Sequence, residues 1–371
     1  MRVLIASQTY LDPANRGKLR ALAALGCTVS AAVPARWSPW ARGPLLTAEW
    51  GSDGGVQIAP IPVVGSPRGE AIRWRARDLR RLLRDFRPEV VQIEAEPWTP
   101  IAALVSAQAH RLGFPTVVFT WQSVRRVYSF AERWRRRRTV RRARAFLGGN
   151  KLAARLLAHE RPDAPLAVIP QTGITPPLET RRPEHQALAI GFVGRLVPEK
   201  GLDSLFRALV KLHGRWNLAV VGSGPEQEHL EGLAERLGIA SRVAWLGALP
   251  PAELETLWPT LDCLVVPSRS TPQWVETFHP ALIQAMGHGV TVVVTDSGAL
   301  PELVDTAGLV VPEDDIPALA AALQHLGDSP RERARLGREA RLRVMSQYVD
   351  DAVARRSVAF WEQVVRRPAP H

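Results

Sequence analysis

The chain has 371 residues, of which 46% are hydrophobic and 23% are charged. This composition is typical of folded globular proteins and excludes a largely disordered chain. Because a domain usually has about 100 to 200 residues, the length favours two domains. No apolar run reaches the roughly 18 residues that a membrane span needs, and Met1 leads directly into the strand-like RVLIA. We therefore expect a cytoplasmic location.

Positive charge is concentrated in the first half of the sequence. The net charge is +12, and residues 1–185 carry 30 Lys and Arg against 14 Asp and Glu. Two arginine-rich stretches, 68–87 and 133–144, contain Trp74 and Trp134. Such stretches are typical of solvated faces, nucleic-acid-binding surfaces and helices that lie at a membrane surface. A solvated face and peripheral contact with the inner face of the membrane both stay open, and nucleic-acid binding is disfavoured.

Short segments rich in β-branched residues alternate with helical patterns from the start of the chain. Helical patterns such as 16–25 and 97–112 lie between the segments that predict strands, which are 2–9, 27–34, 56–64, 89–95, 115–121 and 144–150. This alternation predicts a parallel sheet with crossover helices. We therefore predict a first Rossmann-like domain over residues 1–175.

A proline-rich stretch without periodicity, residues 169–186, interrupts the alternation and is interpreted as a linker. The alternation then resumes, and a second Rossmann-like domain is predicted over residues 186–345, with strands at 187–195, 216–224, 242–248, 262–268 and 290–296. The chain ends in helical sequence with a break near 346–351. We expect its last helix, about 350–368, to pack back on the first domain.

The sequence offers little for a metal ion. Cys27 and Cys263 lie in apolar strand-like segments without accompanying ligand spacing, so we interpret both as buried core residues. An Asp-x-Asp motif does not occur in the sequence. We therefore predict no metal and no cofactor.

The loops after two predicted strands of the second domain carry candidate ligand-binding residues, because open α/β sheets bind ligands at the carboxyl ends of their strands. The loop GRLVPEKG contributes Gly194, Arg195 and Lys200, two of which are cations beside a helix N-terminus and suit a diphosphate. In the loop VVGSGP, Gly222 and Gly224 allow the backbone to approach a ligand. The first strand lacks a dinucleotide fingerprint, which disfavours a nicotinamide-dependent dehydrogenase.

The stretch VETFHPALIQAMGHG, residues 275–289, sets Glu276 eight positions before Gln284. Pro280 suits the first position of a helix whose free N–H groups would lie beside Glu276. Gln284 is the only polar side chain between Ala281 and Met286, so we expect it to face a polar protein group or a ligand.

These motifs, together with the dipeptide PS at residues 267–268 and the run ALPELV at residues 299–304, resemble the carboxyl-terminal half of retaining glycosyltransferases of family 4. The resemblance extends over most of the chain and implies the GT-B fold, an α/β fold of two facing, doubly wound Rossmann-like domains with an interdomain cleft. It implies transfer of a hexose from a nucleotide-diphospho sugar to a glycan, a lipid-linked acceptor or a small molecule, for example in polysaccharide biosynthesis.

The resemblance also implies roles for residues, with Glu276, Arg195 and Lys200 as the catalytic set. By position, Glu276 would hold the donor sugar, the amides of Phe278 and His279 the phosphate, and Gln284 the ribose. Arg195 and Lys200 match the phosphate-binding pair of the family. The sequence departs from the family pattern twice, because Gln284 replaces a second Glu and His279 takes a place usually held by Gly.

The chemistry requires no protein nucleophile. Once cations neutralise the leaving diphosphate, a phosphate oxygen can take the proton of an acceptor hydroxyl on the same face of the sugar, which retains the configuration without a metal ion. Acceptor-side candidates in the first domain are Gly17, Glu94, Glu96 and Gln122, all near strand ends. His279 and His288 are also interpreted as local structure.

Two alternatives stay open at this point. A nucleotide-sugar 2-epimerase would share the two-domain fold, although the GRLVPEKG loop opposes it. A degenerate GT-B scaffold that acts as a basic membrane or nucleic-acid adaptor would explain the Gln284 substitution, whereas Glu276, Arg195 and Lys200 argue against it.

Overall fold

The structure is a computed structural model that describes residues 1–39, 44–69, 71–178 and 187–366. The chain divides into two compact units. Unit 1 comprises Met1–Thr175 and Val349–His371, and unit 2 comprises Pro176–Tyr348. The predicted linker, 169–186, spans the point where the chain passes from unit 1 to unit 2, and its residues 179–186 lie outside the described residues.

Unit 1 is built on an eight-stranded sheet in the order β12-β11-β10-β9-β1-β2-β6-β5. All neighbours are parallel except β5 and β6, and two short antiparallel pairs, β3 with β4 and β7 with β8, lie outside this sheet. The strands are β1 (Arg2–Ala6), β2 (Thr28–Pro34), β3 (Arg36–Trp37), β4 (Leu46–Thr47), β5 (Gly51–Asp53), β6 (Val56–Ile61), β7 (Val63–Val64), β8 (Arg73–Trp74), β9 (Val90–Ile93), β10 (Thr116–Thr120), β11 (Ala145–Gly148) and β12 (Leu166–Val168). The first five helices are α1 (Gly17–Ala24), α2 (Ala76–Phe86), α3 (Pro100–Arg111), α4 (Phe130–Arg142) and α5 (Lys151–Glu160).

Unit 2 is built on a six-stranded, wholly parallel sheet in the order β15-β14-β13-β16-β17-β18. Its strands are β13 (Leu188–Val193), β14 (Trp216–Val221), β15 (Val243–Gly247), β16 (Cys263–Val266), β17 (Thr291–Thr295) and β18 (Leu309–Val311). Its helices are α6 (Leu202–Leu209), α7 (Gln227–Arg236), α8 (Pro251–Leu257), α9 (Pro280–Gly287), α10 (Leu300–Val304), α11 (Ile316–Asp328) and α12 (Pro330–Gln347).

The last helix, α13 (Asp350–Arg366), belongs to unit 1, where it packs against α1. Its anchor is Trp361, which is fully buried and donates its indole N–H to Gln92 Oε1 on β9 at 2.7 Å. The predicted helix break near 346–351 corresponds to the gap between Gln347 and Asp350. The chain thus returns to its first unit at its end.

Each sheet is buried on both faces, as expected for parallel strands covered by crossover helices. On β1, Val3 and Ile5 join one hydrophobic cluster, whereas Leu4 and Ala6 join another on the opposite face. Each fully buried Val, Leu or Ile side chain contributes about 1.5–3 kcal/mol. The alternation therefore stabilises both layers of helices in unit 1.

Every predicted strand segment contains a strand, and the two cysteines are buried and free. The edge strands β12 and β18 were not predicted from the sequence, since each has only three residues. In the described part of the chain, no helix combines the length and the apolar character that a membrane span requires.

Candidate functional site

The site in unit 2 lies where the order of the strands reverses. From β13 the chain proceeds outward through β14 and β15, and then returns to the other side of β13 with β16 and β17. The loops after β13 and β16 therefore diverge at the carboxyl ends of two adjacent strands. A crevice at this point is the usual ligand site of a doubly wound sheet.

A buried ion pair joins these two loops. Lys200, at the end of the 3₁₀ turn Pro198–Lys200, places its Nζ 2.6 Å from Glu276 Oε2. Ser268 Oγ donates to the same carboxylate oxygen at 3.0 Å, and the Trp274 ring lies 5.1 Å from Nζ. Lys200 and Glu276 are 8% and 5% exposed. A buried charge without a partner is unfavourable because it has lost its hydration. Each of the two charges therefore compensates the other and fixes its position.

Two glycines allow the loops to approach each other closely. Gly201 has φ 66°, and a Cβ there would lie 1.9 Å from the Pro267 carbonyl oxygen. Gly222 has φ 135°, and a Cβ there would lie 1.8 Å from the Gly194 carbonyl oxygen. Larger residues would push the loops apart. The close packing of the two loops is thus sufficient to explain why residue 222 is a glycine.

The other predicted glycines of the site have different surroundings. A Cβ at Gly224 would lie 2.2 Å from the Leu196 carbonyl oxygen, so backbone packing also explains this residue. A Cβ at Gly194 would find its nearest neighbour at an ordinary 3.5 Å, on the Phe192 ring. The approach of a ligand to these glycines stays a prediction.

His279 caps the helix that follows Glu276. Its Nδ1 accepts the Leu282 N–H at 3.1 Å, and Pro280 occupies the first position of α9, as the sequence predicted. Burial lowers the pKa of His279 to about 4, with Lys200 contributing in the same direction and Glu276 opposing it. The imidazole is therefore neutral at pH 7, and because Nδ1 accepts a hydrogen bond, Nε2 carries the proton. A helix-capping role agrees with the interpretation of His279 as local structure.

His288 also has a partner within unit 2, because its Nε2 lies 2.8 Å from Glu255 Oε2. Gln284 is half-buried on α9. No described residue forms a hydrogen bond with its side chain, so water or a ligand is left to satisfy the amide.

Arg195 and Phe278 complete the predicted donor set. The side chain of Arg195 is 66% exposed, and its nearest carboxylate oxygen, on Glu199, lies 3.8 Å away. The structure thus leaves this guanidinium in solvent, whereas it brings Lys200 and Glu276 into contact. Phe278 is half-buried in the segment between Glu276 and α9.

Sequence reasoning missed three residues that build this site. Ser268 and Trp274 contact the ion pair, and Arg269 stabilises the turn that carries Lys200.

The Arg269 guanidinium donates to the Pro198 carbonyl at 3.2 Å, and the Arg269 backbone N–H donates to the Glu199 carbonyl at 2.8 Å. Its guanidinium also binds Asp203 and Asp314, each at 2.7 Å. For Ser268 and Arg269, the signal available in the sequence was the polar run SRS, which follows Pro267 just after β16.

The acceptor-side candidates in unit 1 lie in two different environments. Glu94 is buried and forms an ion pair with Lys18 at 2.6 Å. Glu96 accepts hydrogen bonds from Thr120 Oγ1 at 2.5 Å and from the Trp121 N–H at 2.9 Å. Glu94 and Glu96 are both among the residues around one cavity at the carboxyl ends of the central strands, although the Glu94 side chain itself is fully buried.

Gly17 and Gln122 instead contact other groups of the protein. A Cβ at Gly17 would lie 1.9 Å from Asp350 Oδ2, so the residue makes room for the start of α13. Gln122 donates to the Val124 carbonyl at 3.2 Å and accepts from Arg136 at 3.4 Å. Neither residue lines the cavity that contains Glu94 and Glu96. Among the residues that the structure describes, no group of three or more His, Cys, Asp or Glu side chains could hold a metal ion.

Two family models cover most of the chain. Residues 179–343 match the family "Glycosyl transferases group 1", and residues 14–172 match "Glycosyl transferase 4-like domain". An MMP alpha-(1->4)-mannosyltransferase of Mycolicibacterium hassiacum is 30% identical over 71% of this chain and 68% of its own length. A GDP-mannose-dependent alpha-(1-6)-phosphatidylinositol monomannoside mannosyltransferase of Mycolicibacterium smegmatis is 36% identical over 39% of this chain and 40% of its own length.

The fold is similar to that of solved glycosyltransferase structures. Sucrose-phosphate synthase from Thermosynechococcus elongatus superimposes with a TM-score of 0.70 at 18% identity, over 98% of this chain and 99% of that chain. The interpretations as a 2-epimerase or an inactive scaffold gain no support from these matches. The chain therefore belongs to the group 1 glycosyltransferases, with a GT-B fold of two Rossmann-like units, and it is an enzyme that transfers a sugar from a nucleotide-sugar donor.

Proposed function

We propose that the chain transfers a hexose to a hydroxyl acceptor with retention of configuration and without a metal ion, and that unit 2 binds the donor. The observation that carries this proposal is the Lys200–Glu276 ion pair at the point where the strand order of unit 2 reverses. This position places a cation and a hydrogen-bond acceptor at the expected ligand crevice. Lys200 would bind the diphosphate, and Glu276 would accept hydrogen bonds from sugar hydroxyls.

The proposed reaction leaves the protein chemically unchanged. The bond between the anomeric carbon and the phosphate oxygen breaks, and the acceptor oxygen forms its bond to the same face of that carbon. The acceptor proton passes to an oxygen of the leaving phosphate. Positive charge near that phosphate stabilises the charge that develops in the transition state, so no protein nucleophile is required.

The charge required for a metal-independent reaction is available from side chains. Lys200 has its Nζ at the ion pair, and the exposed Arg195 side chain, in the same loop, can turn toward a diphosphate. The N-terminus of α9 adds the positive end of a helix dipole. Together these groups would neutralise the leaving diphosphate.

Gln284 would then bind the ribose of the donor. An amide can accept from one hydroxyl and donate to another, although it lacks the charge that strengthens a bond to a carboxylate. Its half-buried side chain has no described hydrogen-bond partner, which leaves both functions available. We expect an altered nucleotide preference rather than a loss of activity.

The first donor to test is GDP-mannose, because one relative is named as GDP-mannose-dependent and a second as a mannosyltransferase. UDP-glucose provides the comparison with a different base and sugar. Incubation of the full chain with each donor and a panel of sugar acceptors, with and without EDTA, should give a product whose anomeric configuration matches the donor. Product of inverted configuration, or activity abolished by EDTA and restored by a divalent ion, would contradict the proposal.

The arginine-rich surface of α4 supports a peripheral contact with an anionic membrane. Helix α4 begins with a capping box, in which the side chains of Ser129 and Glu132 each accept a hydrogen bond from the backbone N–H of the other residue. The apolar side chains of Val127, Phe130 and Trp134 are 96%, 79% and 49% exposed. Exposed arginines on the same helix are Arg133, Arg137, Arg138 and Arg141. Exposed aromatic and basic residues together are typical of surfaces that bind lipid headgroups.

Cosedimentation with vesicles tests this contact. We expect binding to vesicles that contain phosphatidylglycerol, weaker binding at high salt, and little binding to pure phosphatidylcholine. Replacement of Phe130 and Trp134 by Ser should reduce the bound fraction. Equal binding to both kinds of vesicle would rule out an electrostatic contact, and the transfer reaction would be unaffected by that result.

A further inference from the structure

The loop after β16 contacts both members of the Lys200–Glu276 pair. Ser268 Oγ donates to Glu276 at 3.0 Å, and the next residue, Arg269, binds the turn that carries Lys200. We infer that Arg269 is a positioning residue of the transfer reaction, which fixes the Lys200 ammonium for the donor diphosphate and does not itself contact the donor. This inference rests on the proposed function, because it specifies how the proposed donor site is held in shape.

The turn that carries Lys200 is short. The 3₁₀ turn Pro198–Lys200 has three residues, and the hydrogen bonds of such turns have poorer geometry than those of an α-helix. Inside it, the Lys200 N–H donates to the Val197 carbonyl at 3.0 Å, and the Gly201 N–H donates to the Pro198 carbonyl at 3.1 Å. A segment of this length is marginally stable by itself. Its conformation therefore depends on contacts from outside the turn.

Arg269 supplies such contacts on both sides of Lys200. Before Lys200, the guanidinium donates to the Pro198 carbonyl at 3.2 Å. After Lys200, it donates to the Asp203 carboxylate and to the Ser204 hydroxyl, each at 2.7 Å, in the first turn of α6. Because the guanidinium is planar and rigid, one group sets the spacing between these points. The turn and the start of α6 are thus held as one unit.

The guanidinium of Arg269 has little capacity left for a ligand. Its Nε donates to Asp314 at 2.7 Å, so four of its five N–H groups have partners within unit 2. Two carboxylates, those of Asp203 and Asp314, balance its charge, and its side chain is 22% exposed. Arg195, by contrast, is 66% exposed, and its nearest carboxylate oxygen lies 3.8 Å away. Arg195 is available to a diphosphate, whereas Arg269 is committed to the protein.

A third loop holds Arg269 in place. Asp314, in the loop after β18, has φ 56°, a left-handed conformation that is uncommon for residues other than glycine. Its Oδ1 accepts hydrogen bonds from Arg269 and, at 3.0 Å, from Ser204 Oγ. Beside it, the Glu313 carboxylate accepts the Ser270 N–H at 2.7 Å. The turn is therefore connected, through Arg269, to the edge strand of the sheet.

A double-mutant cycle tests this inference. Turnover is measured as release of nucleoside diphosphate from GDP-mannose and from UDP-glucose, with water as acceptor, for the wild type, Arg269→Gln, Lys200→Met and the double variant. We expect Arg269→Gln to lower the turnover number about 10- to 100-fold, because a displacement of about 1 Å at a reacting group can have an effect of this size. In the Lys200→Met background the same substitution should change turnover less than about twofold, since the group that it positions is absent.

Arg269→Lys separates positioning from a direct contribution of charge. Lysine keeps the positive charge, but its ammonium cannot form the planar set of contacts that the guanidinium makes. We therefore expect the turnover of Arg269→Lys to stay within about threefold of that of Arg269→Gln. Wild-type turnover in Arg269→Lys would overturn the inference, because charge alone would then be sufficient.

Arg343→Gln is the matched control. The Arg343 side chain is also 22% exposed, and it binds the Glu302 and Leu303 carbonyls and the Asp305 carboxylate at the end of α10. We expect Arg343→Gln and Arg269→Gln to lower the melting temperature to a similar extent, and only Arg269→Gln to lower turnover. An equal loss of turnover in both variants would indicate general destabilisation and would overturn the inference.

Asp203→Asn replaces Arg269→Gln in the cycle if that variant does not fold. It weakens the hold on the same guanidinium at a side chain that is 32% exposed, and we expect about a three- to tenfold loss of turnover that disappears in the Lys200→Met background. A loss of turnover confined to Lys200→Met would overturn the inference alone. If Lys200→Met itself keeps wild-type turnover, the assignment of the donor site fails and the inference fails with it.

Discussion

Each unit contains a buried Lys–Glu ion pair at the carboxyl ends of its central strands, and the two pairs differ in their surroundings. The Nζ to carboxylate distance is 2.6 Å in both Lys18–Glu94 and Lys200–Glu276. The side chains of the first pair are 1% and 0% exposed, whereas those of the second are 10% and 6% exposed. The first pair is sealed inside unit 1, and the second retains some access to solvent.

The partners of the two pairs differ as well. Glu94 also accepts hydrogen bonds from Gln92 at 2.6 Å and from Gln171 at 3.2 Å. Glu276 has Ser268 as its only further side-chain partner among the described residues, at 3.0 Å. Similar ion-pair geometry can therefore serve a structural network in unit 1 and the proposed donor site in unit 2. Four substitutions test this difference.

Lys18→Met should give the largest effect, on stability. It leaves the Glu94 carboxylate buried without its counter-ion, which costs about 3–5 kcal/mol. Chemical denaturation followed by tryptophan fluorescence measures the loss. The double variant Lys18→Met with Glu94→Gln should recover much of it, because the uncompensated charge is gone. A loss below about 1 kcal/mol in Lys18→Met would show that this pair does not support the fold.

Lys200→Met should act mainly on catalysis. Loss of a preorganised cation at the leaving group is expected to lower the turnover number about 10²- to 10³-fold. Release of nucleoside diphosphate from GDP-mannose or UDP-glucose, with water as acceptor, measures this step. Arg207→Met, at an exposed position on α6, serves as the control and should keep wild-type turnover. Near-normal turnover in Lys200→Met would remove this residue from the catalytic set.

His279→Asn should change the pH dependence of stability. Burial lowers the folded-state pKa of His279 from 6.5 to about 4, so between these values the unfolded chain binds a proton that the folded chain does not. The stabilisation is thus complete above pH 6.5 and decreases as the pH falls toward 4, by up to about 3 kcal/mol. Asn can still cap α9. Denaturation between pH 4 and 7 should show a flatter profile for the variant, and parallel profiles would contradict the shift.

Gln284→Glu should have the smallest effect, a gain in donor affinity. A carboxylate accepts hydrogen bonds from ribose hydroxyls more strongly than an amide does, and we expect about three- to tenfold tighter binding of the preferred nucleotide. Binding of the corresponding 2′,3′-dideoxynucleotide should not improve, because it lacks both hydroxyls. An equal gain for both nucleotides would place the residue away from the ribose.

The sequence predicted much of the fold because its signals are local. The strand Thr291–Thr295 is a continuous run of β-branched residues, and three of the four residues of Val90–Ile93 are β-branched. The edge strand Leu309–Val311 has only three residues, too few for a pattern.

The candidate site was predicted only where its residues stand in motifs. Lys200 and Glu276 were found because each follows a strand in a recognisable loop. Arg269 was missed, since its role depends on partners far away in the sequence, such as Asp203. Contacts of this kind can be predicted only once the strand order is known.

The most direct test of the account is calorimetric titration of GDP and of UDP into the wild type, Lys200→Met and Arg207→Met. If the Lys200–Glu276 pair is the donor site, one nucleotide binds the wild type and Arg207→Met equally, and it binds Lys200→Met more than about tenfold more weakly, because a charge-assisted contact is lost. Undiminished binding to a folded Lys200→Met protein would contradict the assignment of this pair to the donor.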